Sequence, residues 1–139
     1  MPDQVLLGFD FGMKRIGVAV GQIITRTARP LTTVSAHKGV PSWDKINALV
    51  QTWRPDALVV GIPLNMDGTP QSITESVYGF IRQLKDHYEL PVYEVDERLS
   101  TQDARQRIFN EGGYKALQNG QVDSVAAQLI LQNWLELPH

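Results

Sequence analysis

The stretch at residues 57–63, ALVVGIP, constrains the fold most strongly, because it is apolar at every position. A strand with one face in water would carry a polar residue at every second position, whereas a continuous apolar run of this length is typical of a strand covered on both faces. Apolar residues recur at helical spacing before it, at residues 42–54, and after it, at residues 73–88. The run therefore predicts a parallel strand in a sheet that carries packed helices.

The amino-terminal part has the composition of strands instead. Runs rich in Val, Ile, Leu, Phe and Thr occupy residues 5–12, 15–21 and 30–36, with short connections between them. A further strand is predicted at residues 91–99, and a final helix begins at Val122. The order predicts an α/β protein with a mixed five-stranded sheet, in which three antiparallel meander strands precede the parallel strands and helices cover both faces.

Two finer expectations concern the carboxyl-terminal third. Ser100 is a plausible helix cap, which predicts a helix from there to about Asn110, followed by a polar loop at residues 111–121. In the final helix, helical spacing predicts a buried stripe of apolar side chains, namely Val122, Val125, Ala126, Leu129 and Ile130. No repeat or linker divides the chain, so we expect a single domain over residues 1–139.

Composition excludes several classes of protein. The 139 residues include no Cys, which excludes disulfides and a Cys-based zinc site, and the three His are not at ligand spacing, which argues against a His-rich metal site. The first residues lack the basic segment of a signal peptide, and no apolar stretch is long enough to span a bilayer. We expect a soluble cytoplasmic protein.

Charge is unevenly distributed although the formal net charge is only −2. Between Phe11 and Trp43 there is no Asp or Glu, whereas five basic residues occur there: Lys14, Arg15, Arg26, Arg29 and Lys38. The rest of the chain therefore carries −7, since −7 and +5 give −2. This asymmetry predicts a local positive field, although chance clustering on solvated strand edges would give the same pattern.

Three acidic residues stand where this topology could bring them together. Asp10 interrupts an apolar strand between Phe9 and Phe11, where an unpaired charge costs several kcal/mol. Glu97 ends the last strand and Asp123 opens the final helix, and ligand sites in such sheets gather at the carboxyl ends of strands. Taken singly, Glu97 could pair with a neighbouring base and Asp123 could complement its helix dipole.

Together the three acids favour a metal site. Gathered carboxylates repel one another, and a divalent cation removes that conflict. Oxygen ligands without His or Cys favour one or two Mg²⁺ or Mn²⁺ ions, and such clusters commonly serve phosphoryl transfer. Neither a complete phosphate-binding P-loop nor a G-x-S-x-G nucleophile motif occurs in the sequence.

Four segments, DFGMKRIGVAVG, GIPLNMDGT, VDERLST and GQVDSVAAQLIL, resemble the YqgF family in the same order and at similar spacing. The resemblance runs from about residue 6 to residue 135. Members are described as candidate pre-16S rRNA nucleases or Holliday junction resolvase-like proteins. The resemblance implies a ribonuclease H-like fold and a catalytic, metal-binding set of Asp10, Glu97 and Asp123. It also implies a metal-dependent endonuclease that processes the 5′ end of precursor 16S rRNA.

For such an enzyme, basic residues could hold substrate phosphates near the metal, and the candidates are Lys14, Arg15, Arg26, Arg29, Arg98 and Lys115. Asp96 points to the other side of its strand from Glu97, which predicts a supporting or surface role. The sequence leaves open a resolvase of four-way DNA junctions, for which a two-fold dimer would be favoured over a monomer. A non-catalytic rRNA-binding assembly factor also stays open, whereas the chain is too short for an ATPase of the actin and sugar-kinase type.

Overall fold

The computed structural model describes residues 4–97 and 122–137. The strands are β1 (Val5–Asp10), β2 (Arg15–Gln22), β3 (Thr27–His37), β4 (Val40–Pro41), β5 (Ala57–Ile62) and β6 (Val92–Asp96). The helices are α1 (Trp43–Trp53), α2 (Thr74–Tyr88) and α3 (Val122–Glu136). The predicted helix at 100–110, the predicted loop at 111–121 and the candidate residues Arg98 and Lys115 lie outside the described residues.

The strands form one mixed sheet in the order β4-β3-β2-β1-β5-β6. Pairing is antiparallel from β1 through β4 and parallel from β1 to β5 and β6. The α/β class and the meander are thereby confirmed, but the described sheet has six strands instead of five. The extra strand is a two-residue segment that pairs with the end of β3 across a turn at Lys38 and Gly39, whose φ angles are 50° and 82°. A strand this short has no periodicity to detect.

Helices cover both faces of the sheet, as predicted. Alternate residues of β1 point to opposite faces, so Leu7 and Phe9 join the core beneath α1 and α2, whereas Leu6 packs with α3. Phe80 of α2 meets the Phe9 ring edge-on at a centroid distance of 5.7 Å. Full burial of side chains of this size contributes about 1.5–3 kcal/mol each, which holds β1 rigidly in the centre of the sheet.

Glycines let α3 lie unusually close to its face of the sheet. A Cβ atom placed at Gly8 would lie 2.8 Å from the Cβ of Leu131, and one at Gly17 would lie 1.8 Å from the carbonyl oxygen of Asp123. Gln132 fixes the other end of the helix, because its side chain accepts a hydrogen bond from the Ala28 amide at 3.1 Å. The helix therefore runs along the sheet from the Gly17 end to the Ala28 end.

The buried face of α3 differs from the predicted stripe. Val122 is 55% exposed and Ala126 and Leu129 are half-buried, whereas Val125 and Ile130 are buried as expected. The remaining buried positions are Ser124, Ala127, Gln128, Leu131, Trp134 and Leu135. The helix is apolar on more than one side, so its periodicity did not identify the face that fits over the glycines.

Among the described residues, no helix is long and apolar enough to cross a membrane.

Candidate active site

Asp10 is the last residue of β1 and faces α3. It lies opposite Gly17 in the antiparallel pairing with β2. Its neighbours Phe9 and Phe11 are buried on the other face against Phe80, at centroid distances of 5.7 and 5.2 Å. The two aromatic residues thus hold the strand end in place, and period-two alternation turns the carboxylate toward α3.

Glu97 follows directly after β6, whose last residue Asp96 pairs with Ile62 of β5. The Glu97 carboxylate lies over the neighbouring strand, since a Cβ at Gly61 would be 2.8 Å from its Oε1 atom. This places Glu97 within hydrogen-bonding reach of Asp10, and the two side chains share a hydrogen bond. Asp96 is half-buried and contributes its negative charge to the surroundings of Glu97.

Asp123 stands in the first turn of α3, where the close contact with Gly17 brings the helix backbone down onto β2. Its Oδ2 atom forms an ion pair with Arg15, whose Nε atom lies 3.1 Å away. Arg15 is the first residue of β2, so the pair joins the start of that strand to the start of the helix. The structure thus brings all three predicted acids to one edge of the sheet, where Asp123 is paired with Arg15.

Burial and mutual repulsion change the protonation of the first two acids. Burial raises the pKa of Asp10 from 3.8 to about 7, and the negative charges of Glu97 and Asp123 and the hydrogen bond to Glu97 contribute to this rise. Burial also raises the pKa of Glu97, and the charge of Asp96 adds to this, while the hydrogen bond from Asp10 opposes it. Asp10 and Glu97 therefore titrate as a pair, and the state in which both are ionised is disfavoured.

This arrangement suits a divalent cation chemically, although it is not a formed metal site. Within residues 4–97 and 122–137, no three acidic or histidine side chains are grouped as metal ligands. Asp10 and Glu97 lie close together, and a divalent cation would favour the state in which both are ionised, because Mg²⁺ and Mn²⁺ prefer carboxylate oxygens. Asp123 lies near enough to raise the pKa of Asp10, but it is held by Arg15.

Two of the predicted basic residues lie at this edge, together with one that the site prediction omitted. Lys14 and Arg15 are exposed at the turn between β1 and β2. The β3–β4 turn is tied to the same segment, since the Ala36 amide donates to the Lys14 carbonyl at 2.8 Å and the Gly39 amide to the Met13 carbonyl at 2.9 Å. Lys38 is thereby brought beside them. The dipeptide Lys38-Gly39 was the sequence feature that could have indicated this turn, although it indicates a hairpin less strongly than Asn-Gly or Asp-Gly does.

Arg26 and Arg29 do not lie near the acids, contrary to the expected placement, and their role in binding nucleic acid stays a prediction. Arg29 faces α1, on the side of the sheet opposite Asp10, and its guanidinium lies 5.2 Å from the centre of the Trp53 ring. Arg26 lies in the turn after Gln22, and Gln22 pairs with Val5 at the start of β1. That is five residues, or about 17 Å, along the strand from Asp10.

Comparison with known proteins identifies the family. The sequence profile of RuvX, described as "Holliday junction resolvase", matches residues 4–137. The chain belongs to the RuvX family. This confirms the resemblance to YqgF proteins, which rested on motifs that include the acids at positions 10, 97 and 123.

Similar proteins carry a second name. The chain is 53% identical over 136 residues to a "Putative pre-16S rRNA nuclease" of Aeromonas salmonicida, covering 98% of this chain and 97% of the relative. It is 48% identical over 139 residues to a protein of the same name from Pectobacterium carotovorum, covering 100% of each. Both relatives thus carry a nuclease name.

Solved structures confirm the ribonuclease H-like fold. RuvC of Thermus thermophilus, solved in complex with a Holliday junction substrate, superimposes with a TM-score of 0.57 at 16% identity, covering 95% of this chain and 93% of that one. The fowlpox virus Holliday junction resolvase gives a TM-score of 0.58 at 13% identity, with 96% and 98% coverage. At these identities the likeness concerns the fold alone.

Proposed function

We propose that this protein is a metal-dependent endonuclease that processes the 5′ end of precursor 16S rRNA during ribosome biogenesis. The observation that carries the proposal is the convergence of Asp10, Glu97 and the first turn of α3 with Asp123, supplied by three separate elements, at one edge of the sheet. The substrate follows from the name shared by relatives that are about half identical to this chain. We further propose that residues 1–139 act as a single nuclease domain in the cytoplasm.

The side chains divide the work as follows. Asp10, Glu97 and Asp123 would hold one or two Mg²⁺ or Mn²⁺ ions, which supply an activated water and offset charge at the phosphorus when bound. With metal bound, Asp10 and Glu97 would both be ionised, and their positions at the end of β1 and over β5 would keep the two carboxylates together. Phe9 and Phe11 oppose movement of the strand end by packing against Phe80.

Substrate phosphates would approach the same edge. Lys14, Arg15 and Lys38 are exposed there and present positive charge next to the acids. Such contacts position a nucleic-acid backbone without reading its sequence. Arg98 and Lys115 stay candidates for further phosphate contacts from outside the described residues.

A second candidate function is the resolution of four-way DNA junctions, which the description of the matching family favours. The metal chemistry would be the same, and symmetric cleavage would require a homodimer that presents two sites related by two-fold symmetry. A monomer suffices for cleavage of an RNA precursor. Substrate preference and oligomeric state therefore separate the two candidates.

The test compares a precursor 16S rRNA fragment with a four-way DNA junction, each incubated with the wild-type protein and with Asp10→Asn in Mg²⁺. We expect cleavage of the RNA by the wild type and a loss of at least about a hundredfold in Asp10→Asn, since even the partners of metal ligands contribute 10- to 100-fold. Preferential cleavage of the junction would support the second candidate. Equal cleavage by the wild type and Asp10→Asn would point to a contaminating nuclease and contradict the proposal. Binding of RNA without cleavage by either protein would favour a non-catalytic assembly factor.

A further inference from the structure

The ion pair between Arg15 and Asp123 joins a residue expected to contact substrate with one expected to hold metal. Nε of Arg15 lies 3.1 Å from Oδ2 of Asp123, and the side chains are 68% and 30% exposed. Asp123 stands at the amino-terminal end of α3, where the helix dipole already favours a carboxylate. The helix dipole thus partly compensates the charge of Asp123 without Arg15. The ion pair, in turn, occupies a carboxylate that the metal would need.

Arg15 could also bind the phosphate groups of a nucleic acid. Its guanidinium is planar and binds phosphate as well as carboxylate through paired hydrogen bonds. With about two thirds of its side chain exposed, it can leave Asp123 without opening the core. By contrast, the main chain of Asp123 is fixed against Gly17, so the carboxylate stays at the edge when the arginine departs.

We propose that Arg15 is a switching cation: it neutralises Asp123 while no nucleic acid is bound, then moves to a substrate phosphate and frees Asp123 for the metal. This rests on the proposed nuclease function. Metal and nucleic acid then bind cooperatively through one side chain, and by linkage each raises the affinity of the other by the same factor.

Metal binding by the free protein gives the first test. Calorimetric titration with Mn²⁺ in the absence of nucleic acid should show affinity about three- to fivefold higher for Arg15→Gln than for wild type, which is the strength of a partly exposed ion pair. Lys14→Gln is the matched control, because it removes the same charge one position away; we expect a change of less than about twofold. Equal effects of the two substitutions would overturn the proposal.

A double-mutant cycle gives the second test and requires no catalysis. The affinity for a short RNA hairpin is measured in EDTA for wild type, Asp123→Asn, Arg15→Gln and the double variant. Asp123→Asn should strengthen RNA binding about three- to fivefold more when introduced into the wild type than when introduced into the Arg15→Gln variant, because only the wild type has an arginine that the change can release. The general effect of removing a negative charge is present in both backgrounds and cancels.

The outcomes separate this inference from the function on which it rests. If Mg²⁺-dependent cleavage is found and the cycle is additive, Arg15 does not switch and the nuclease assignment stands. If cleavage is absent while the cycle shows coupling, the ion pair controls nucleic-acid binding alone, and the metal part of the proposal is overturned. Circular dichroism melting checks that each variant is folded. We expect all of them to fold, because the side chains at positions 15 and 123 are both accessible to solvent.

Discussion

Asp10 illustrates at the scale of a single residue how a costly side chain can be retained at a strand end. Strand propensity disfavours it, and burial together with the charge of Glu97 raises its pKa to about 7, so ionisation is unfavourable in the folded protein. Phe9 and Phe11 nevertheless lock it into the sheet on the opposite face. A carboxylate whose ionised form is unfavourable without metal and would be stabilised by metal is well suited to a cation site.

This predicts an unusual pH dependence of stability in metal-free protein. The pKa of Asp10 is raised from 3.8 unfolded to about 7 folded, so between these values the native state binds more protons than the unfolded state and stability falls as pH rises. Asp10→Asn removes this loss. Urea unfolding in EDTA should give similar free energies for the two proteins near pH 4 and an advantage of about 1–3 kcal/mol for Asp10→Asn near pH 8.

Asp86→Asn, which removes an exposed acid of α2, is the control and should not show this divergence. A wild type and Asp10→Asn that keep a constant difference across the pH range would mean that Asp10 has no raised pKa.

The residues of the site differed in how far the sequence could predict them. Asp10 was visible because a charge in an apolar run is costly, whereas Glu97 and Asp123 became candidates only through the topology that gathers strand ends. The pairing of Arg15 with Asp123 depends on how closely α3 approaches the sheet, which no local pattern encodes.

At the scale of elements, the position of α3 decides whether a third acid reaches the site. The helix carries Asp123 at its start, and only a residue without a side chain at position 17 allows its backbone to come so close to β2. The sequence shows the glycines but not their purpose, since a Gly in a strand can equally mark a bulge. The β2–β3 pairing does shift register, since Val18 pairs with Thr32 and Ala19 with Pro30, and this irregularity was not predicted either.

Gly17→Ala should therefore disrupt the site through the helix. The added Cβ would lie 1.8 Å from the Asp123 carbonyl, so α3 has to shift, at a cost of more than about 2 kcal/mol in the free energy of unfolding. Gly79→Ala is the matched control: its Cβ would meet only the end of Arg82 at 3.8 Å, and the gain in helix propensity should stabilise the protein by about 0.5–1 kcal/mol. Urea denaturation measures both, and equal effects would contradict the close docking of α3.

At the scale of the whole molecule, the positive segment of the sequence divides between two places. Lys14, Arg15 and Lys38 belong to two adjoining turns at the carboxyl end of β1, where Arg15 pairs with Asp123, whereas Arg29 packs over Trp53 on the opposite face. Composition predicted a positive field but not this division, because the face that each residue of β3 presents depends on strand register. Nucleic acid is therefore expected to bind along one edge only.

Lys38→Gln and Arg29→Gln test this map with equal changes in charge. Lys38→Gln should weaken RNA binding and reduce the slope of log K against log salt by about 1, as loss of one phosphate contact does. Arg29→Gln should leave both quantities unchanged within about 10% of the slope. Fluorescence anisotropy titrations at several salt concentrations in EDTA measure them, and a reversed order would place the RNA on the α1 face.

The dependence of stability on Mg²⁺ tests most directly whether Asp10 holds a cation. Thermal unfolding is recorded near pH 8 for wild type and Asp10→Asn, in EDTA and in Mg²⁺. A ligand that binds only the native state raises stability by RT ln(1 + [L]/Kd), so wild type should gain about 2–3 kcal/mol at a hundredfold excess over Kd while Asp10→Asn gains much less. The order of melting temperatures should thus reverse: Asp10→Asn higher in EDTA, wild type higher in Mg²⁺. An Asp10→Asn variant that is less stable in both conditions would show that Asp10 is a structural acid and contradict the metal site.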